Sequence, residues 1–120
     1  MLVGFRYNLD MRRATSFRIV LVTCGSLGEA RKIARKVVSK KLAACVNIHR
    51  APVESVYRWK GKVETGREYL LVIKTTARRV GLLEKEALRL HSYETPEFLV
   101  VGVAAGSVGY LAWIGESLQD

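Results

Sequence analysis

The sequence predicts one α+β domain, and three observations carry that prediction. Short β-branched runs alternate with two segments of helical period. Lys60-Gly61-Lys62 separates two extended stretches, as a long hairpin requires, because Gly61 supplies a permissive turn backbone. The resulting order, β-α-β-β-α-β plus a terminal helix, is that of a ferredoxin-like sandwich. Right-handed crossovers then put both main helices on one face of a four-stranded sheet.

Each element has its own justification. Phe17 to Thr23 reads Phe-Arg-Ile-Val-Leu-Val-Thr, a nearly continuous apolar run suited to a buried strand. Ser26 followed by Glu29 forms a capping-box pattern, and Leu27, Ala30, Ile33, Ala34, Val37 and Val38 then repeat at helical spacing. This predicts a helix from Leu27 to Lys41 whose Arg31, Lys32, Arg35, Lys36, Lys40 and Lys41 face solvent. Ala44 to His49 is strand-like, Ala51-Pro52 interrupts it, and Val53 to Trp59 continues toward the turn. Val63 and Tyr69 to Thr75 form the returning strand. Thr76 is placed to cap a second helix with Val80, Leu83, Ala87, Leu88 and Leu90 as its apolar stripe, ending near His91. Phe98 to Val103 is the last strand, and Ser107 to Leu118 a C-terminal helix docking through Tyr110, Leu111 and Ile114. Residues 1–16 show no period and read as an N-terminal arm, or as the result of a start codon assigned upstream of Met11; residues 17–120 form the domain.

Composition bounds the rest. A chain of 120 residues with 49% hydrophobic content buries a core without staples. Its longest apolar run, Phe98 to Ala105, is less than half the roughly 18 residues of a membrane-spanning helix. The N-terminus lacks the apolar core of a secretory signal, so a cytoplasmic location is expected. Cys24 and Cys45 are too distant for a CxxC element and too few for a disulfide framework, which makes reduced thiols the expectation. The net charge of +9 permits attraction to polyanions without selecting one.

The chemistry-bearing residues cluster in two stretches, Ser55 to Glu64 and Leu90 to Glu97. Cys45 and His49 share a strand face but lie about 13 Å apart at ~3.3 Å per residue, too far to hold one ion. A metal site needs separate elements or subunits, with His91, Tyr93, Glu94 and Glu97 converging on Cys45 or Glu64; the alternative is a core thiol beside a helix-terminal histidine. No nucleophile elbow or phosphate loop is present, and Glu94 and Glu97 around Pro96 suit strand solvation, so the chain reads as a non-enzyme. RNA binding through an RRM-type sheet needs aromatics where this chain has Arg67-Glu68-Tyr69-Leu70-Leu71-Val72-Ile73-Lys74, which argues against nucleic acid. Tyr57 and Trp59 share one side of the hairpin, either to pack on a neighbouring subunit or to line a ligand pocket with Glu64, Lys74 and Tyr93. The second sheet face has no helix assigned to it yet is apolar, so a homo-oligomer is expected.

Five blocks in order, Leu42 to Ile48, Ser55 to Glu64, Ile73 to Thr76, His91 to Glu97 and Tyr110 to Ile114, closely resemble the CutA divalent-cation tolerance family. The resemblance spans Phe17 to the C-terminus. It implies a ferredoxin-like homotrimer with strands pairing across subunit boundaries, without enzymatic activity, that binds copper or another divalent cation weakly. It places the metal at Cys45 and His91, and an inter-subunit cleft at Tyr57, Trp59, Glu64, Lys74, Tyr93 and Glu97. A likeness to PII-type signalling trimers supplies the alternative, a regulatory or scaffold trimer holding a small anionic ligand near Lys74, with an unknown regulatory partner. Ser92, Gly102 and Gly109 depart from the family's usual proline, proline and acidic residue.

Overall fold

The structure, a computed structural model, describes residues 11–13 and 16–119; most of the expected N-terminal arm lies outside the described residues. Within the arm, Met11–Arg13 forms a short strand, β1, that the sequence reading does not assign. The domain then runs β2 (Phe17–Cys24), α1 (Leu27–Ser39), β3 (Cys45–Ile48), β4 (Val53–Trp59), β5 (Lys62–Thr76), α2 (Val80–Leu90), β6 (Leu99–Gly102), β7 (Ala105–Ser107) and α3 (Val108–Ser117). A mixed α/β architecture with an antiparallel main sheet is therefore what the chain adopts.

The main sheet has the order β3-β5-β2-β6, and β4 extends it by pairing with the first half of β5. Strand β5 is the organiser. Its second half lies between β2 and β3, with Tyr69 to Thr76 opposite Cys24 to Phe17 and Leu71 to Lys74 opposite Ile48 to Cys45. Its first half, Lys62 to Glu68, pairs only with β4. The hairpin thus projects beyond β2 as an arm, closed by a two-residue loop in which Lys60 and Gly61 both adopt positive φ (50° and 81°). That is the tight turn whose twist matches the flanking strands.

Alternation on β2 and β5 decides what is inside. Val20, Val22 and Cys24 with Leu71, Ile73 and Thr75 point to one face, where Ala30, Ile33, Ala34 and Val37 of α1 and Leu83 and Ala87 of α2 seal them from water. Thr75 buries its hydroxyl by donating to the Leu42 carbonyl (2.7 Å), as a buried polar group must. On α1, the Ser26 hydroxyl accepts from the Glu29 backbone N–H (3.1 Å), giving one half of the expected capping box. Three expectations need correction. Thr76 makes no side-chain cap, because a 3-10 turn (Ala77–Arg79) precedes α2. Leu88 is exposed, and Glu86 takes the buried place because Lys40 and Arg89 pair with it. The second sheet face is not bare throughout: α3 docks Leu111, Ile114 and Leu118 inward, closing a cavity of about 140 Å³ with Phe17, Ile19 and Lys74.

Candidate functional site

The C-terminal end of β2 is where polar chemistry concentrates. Cys24 closes the strand on the helix-facing side and is fully buried; Glu29 sits in the first turn of α1, and His91 follows the last residue of α2. Three separate elements therefore deliver a thiol, a carboxylate and an imidazole to one place. Their ligating atoms lie within 4.8 Å of one another. His91 Nε2 is 2.7 Å from the Thr23 carbonyl oxygen, so it carries the proton and donates. The Tyr93 backbone N–H donates to Nδ1 (3.2 Å), so Nδ1 is the unprotonated nitrogen and a metal there would take the lone pair that this bond holds. Fixing one ring nitrogen on a backbone carbonyl is the usual way to aim the other at a ligand.

Nδ1 faces the Glu29 carboxylate, whose Oε2 lies 3.4 Å away and is buried without a hydrogen-bond partner. An acceptor facing a lone pair in a desolvated place is costly. Cys24 adds a third electron-rich atom. Burial first, and the Glu29 and Glu68 carboxylates next, push its thiol up to about 12, so it is neutral. The donor set S, N and O is of the kind that suits zinc or copper. The residues fit a metal: a cation would satisfy the orphaned oxygen that has no hydrogen-bond partner among the described residues.

Beside this cluster opens a cleft of about 680 Å³ between the arm and the 93–97 loop, in the angle left where β2 ends and β5 continues. Tyr57, Trp59 and Tyr93 supply aromatic walls; Glu68, Glu97 and Arg67 supply charge. The Thr23 hydroxyl donates to Glu97 Oε1 (3.4 Å). Tyr93 stands between cleft and cluster. Its ring centroid is 4.7 Å from that of His91; burial, then the neighbouring Glu68 carboxylate, raise its pKa. The ring passes so close to Gly25 that an added Cβ would stand 3.1 Å from the hydroxyl oxygen.

Of the expected cleft residues, the structure brings Tyr57, Trp59, Tyr93 and Glu97 together and leaves two elsewhere. Glu64 is exposed opposite Tyr57 on the arm. Lys74 lies on the sheet face under α3, directly opposite Cys45, with its ammonium on Asn47. The expected metal pair is also separated within one chain. Cys45 sits level with Ile19, five residues along β2 from Cys24 and on the opposite sheet face, about 17 Å away at ~3.4 Å per residue. Its neighbour is Tyr110, whose pKa is raised by burial and by the contact with Cys45. His91 instead meets Cys24 and Glu29. The sequence reading assigned Glu29 to the cap, which hid it; the signal it passed over is a cysteine at a strand end followed by a carboxylate one helical turn into the next element.

Residues 18–117 match the family described as CutA1 divalent ion tolerance protein. The divalent-cation tolerance protein CutA of Archaeoglobus fulgidus is 36% identical over 100 residues, 83% of this chain and 96% of its own; a structure of the Archaeoglobus protein is described as periplasmic. CutA from Synechococcus elongatus superposes with a TM-score of 0.86 at 34% identity, covering 92% of this chain and 96% of that one. The CutA1 structure from Thermus thermophilus gives 0.83 at 39% identity over 86% and 99% of the two chains. With nearly the whole described domain matched in sequence and in fold, the chain belongs to the CutA1 divalent ion tolerance family.

Proposed function

We propose that the protein is a non-enzymatic divalent-cation tolerance protein that binds copper or a similar ion at Cys24, Glu29 and His91 in response to metal. The observation that carries this reading is the buried Glu29 Oε2 without a partner, facing the His91 Nδ1 lone pair. Bound there, a cation supplies the positive charge that the buried carboxylate lacks. Calorimetry with Cu²⁺ and Zn²⁺ tests it. Glu29→Gln and His91→Ala should lose on the order of tenfold or more in affinity, while Cys45→Ala keeps wild-type binding. The opposite pattern would return the site to Cys45, and indifference to all three would remove metal binding from this reading.

The working unit in this reading is a ferredoxin-like homotrimer. Its supports are the strand order of the main sheet and the apolar residues left exposed on the edge strand β6 (Leu99, Val100, Val101) and on the arm (Val56, Val63). The location is the cytoplasm, supported by two free cysteines; alkylation under denaturing conditions after rapid acid quenching of cells should find both reduced. A PII-like trimer holding a small ligand is a second reading, and the cleft beside Tyr93 favours it. Its charges do not suit the anion that Lys74 suggested, since Lys74 is elsewhere and two carboxylates oppose one arginine.

A further inference from the structure

The cleft and the metal cluster share two residues, and each uses a different part of them. Thr23 gives its carbonyl to His91 Nε2 and its hydroxyl to Glu97. Tyr93 gives its backbone N–H to His91 Nδ1 and its ring to the imidazole face, and it lines the cleft beside Glu68. Glu97 and Glu68 are cleft carboxylates. Whatever fixes those carboxylates therefore fixes the two groups that orient His91.

The lining indicates what that occupant is. Aromatic faces attract cations through the ring quadrupole, and carboxylates add full charge. Trp59 already holds one ammonium, Lys60 Nζ, 5.7 Å from its ring centroid. Tyr57 and Tyr93 border the same cleft, and its volume of about 680 Å³ is that of a small-molecule site rather than of a single ion. A bare divalent metal has no use for three aromatic walls. An organic cation has.

We propose that the cleft binds a small organic cation bearing an ammonium group, and that its occupancy weakens metal binding at Cys24, Glu29 and His91 by holding the Tyr93 N–H on His91 Nδ1. The coupling half rests on the metal reading above; the binding half does not. Glu68 and Glu97 neutralise the ligand's charge, so its repulsion of a metal ion is offset. What remains is competition: with Tyr93 held in place, its N–H keeps the Nδ1 lone pair that a metal must take.

Choline is the probe, because it carries a permanent ammonium and does not chelate metals. Titrated into metal-free protein and followed by tryptophan fluorescence, it should bind with a Kd of about 1 mM or tighter, whereas glutarate should not bind. Trp59→Ala and Glu97→Gln should each weaken choline on the order of tenfold. Both side chains lie at the surface of the cleft, so circular dichroism should show the fold intact. Gly25→Ala, which presses on the Tyr93 hydroxyl, should weaken choline while leaving Trp59 untouched. No choline binding, or binding of glutarate in its place, overturns the ligand class. Calorimetry of Zn²⁺ with and without saturating choline then reads the coupling, and a decrease in affinity of about fivefold or more is expected, an increase overturning it. Choline binding with unchanged zinc affinity overturns the coupling alone. If zinc does not bind in either condition while choline does, the metal reading fails and the coupling with it, and the cleft site stands.

Discussion

The two cysteines show how far one residue type can diverge within a single sheet. Cys24 is fully buried among apolar side chains, whereas Cys45 is half-buried on the opposite face. Alkylation requires a thiolate, and Cys24, held up to about 12, has none near neutrality. Iodoacetamide at pH 8 should therefore modify Cys45 in the native protein and leave Cys24 intact until the chain unfolds, as mass spectrometry of the tryptic peptides will show. Equal rates at the two positions would contradict the burial described here. The same shift has a consequence for stability. A thiol whose folded pKa is raised favours the native state fully below its unfolded value of 9.0, and that contribution is lost as pH rises from there toward about 12.

Between elements, the tie most open to measurement joins the two main helices. Glu86 of α2 accepts from Arg89 one turn on (3.0 and 2.8 Å) and meets Lys40 beyond the end of α1 (3.2 Å). The Arg89 hydrogen bonds, partly opposed by burial and helped by Lys40, hold its carboxyl down to about 2. A depressed acid stabilises the fold above its unfolded value of 4.5, and the contribution disappears as pH falls from there through about 2. Urea midpoints of Glu86→Gln should accordingly differ from wild type at pH 6 and converge with it near pH 2; a constant difference across that range would remove the ion pair as the cause. The elements themselves were legible in the sequence because their signals are local. The continuous β-branched run of Phe17 to Thr23, period 3.6 in Leu27 to Val38 and the Lys60-Gly61 turn each depend on neighbours in the chain. The cluster of Cys24, Glu29 and His91 was not legible, because its members meet only once α2 has been laid against α1. Leu88 was placed on the stripe and Glu86 passed over for a related reason: an acid on an apolar stripe looks out of place until its partner from another element is known.

At the scale of the molecule, the chain is too extended for its length. Its radius of gyration is 16.2 Å with extents of 49 × 36 × 24 Å, against about 13.6 Å for a compact domain of 120 residues. The arm accounts for the excess, since Lys62 to Glu68 pair only with β4. Val56 and Val63 at its tip are 64% and 66% exposed, and β6 offers a second open edge with Leu99 at 57%. Isolated hairpins are marginal in water, and unpaired edges invite another chain. Sedimentation equilibrium at micromolar concentration should thus find three times the 13.4 kDa chain mass, and Val101→Lys on β6 should shift the population toward single chains. A wild-type protein that sediments as one chain would leave both surfaces unexplained.

Strand β5 is one continuous run of fifteen residues that serves the core at one end and the arm at the other. Side chains alternate faces with every residue, so the loss of a single residue at the junction of its two halves, near Glu68, cannot be absorbed locally. Either Leu71 and Ile73 would swing away from the helices, or the aromatic wall of Tyr57 and Trp59 would turn its back on Tyr93. The spacing between hearth and doorway is thus written into the parity of one strand, and descent with insertions or deletions along it would have to proceed in steps of two.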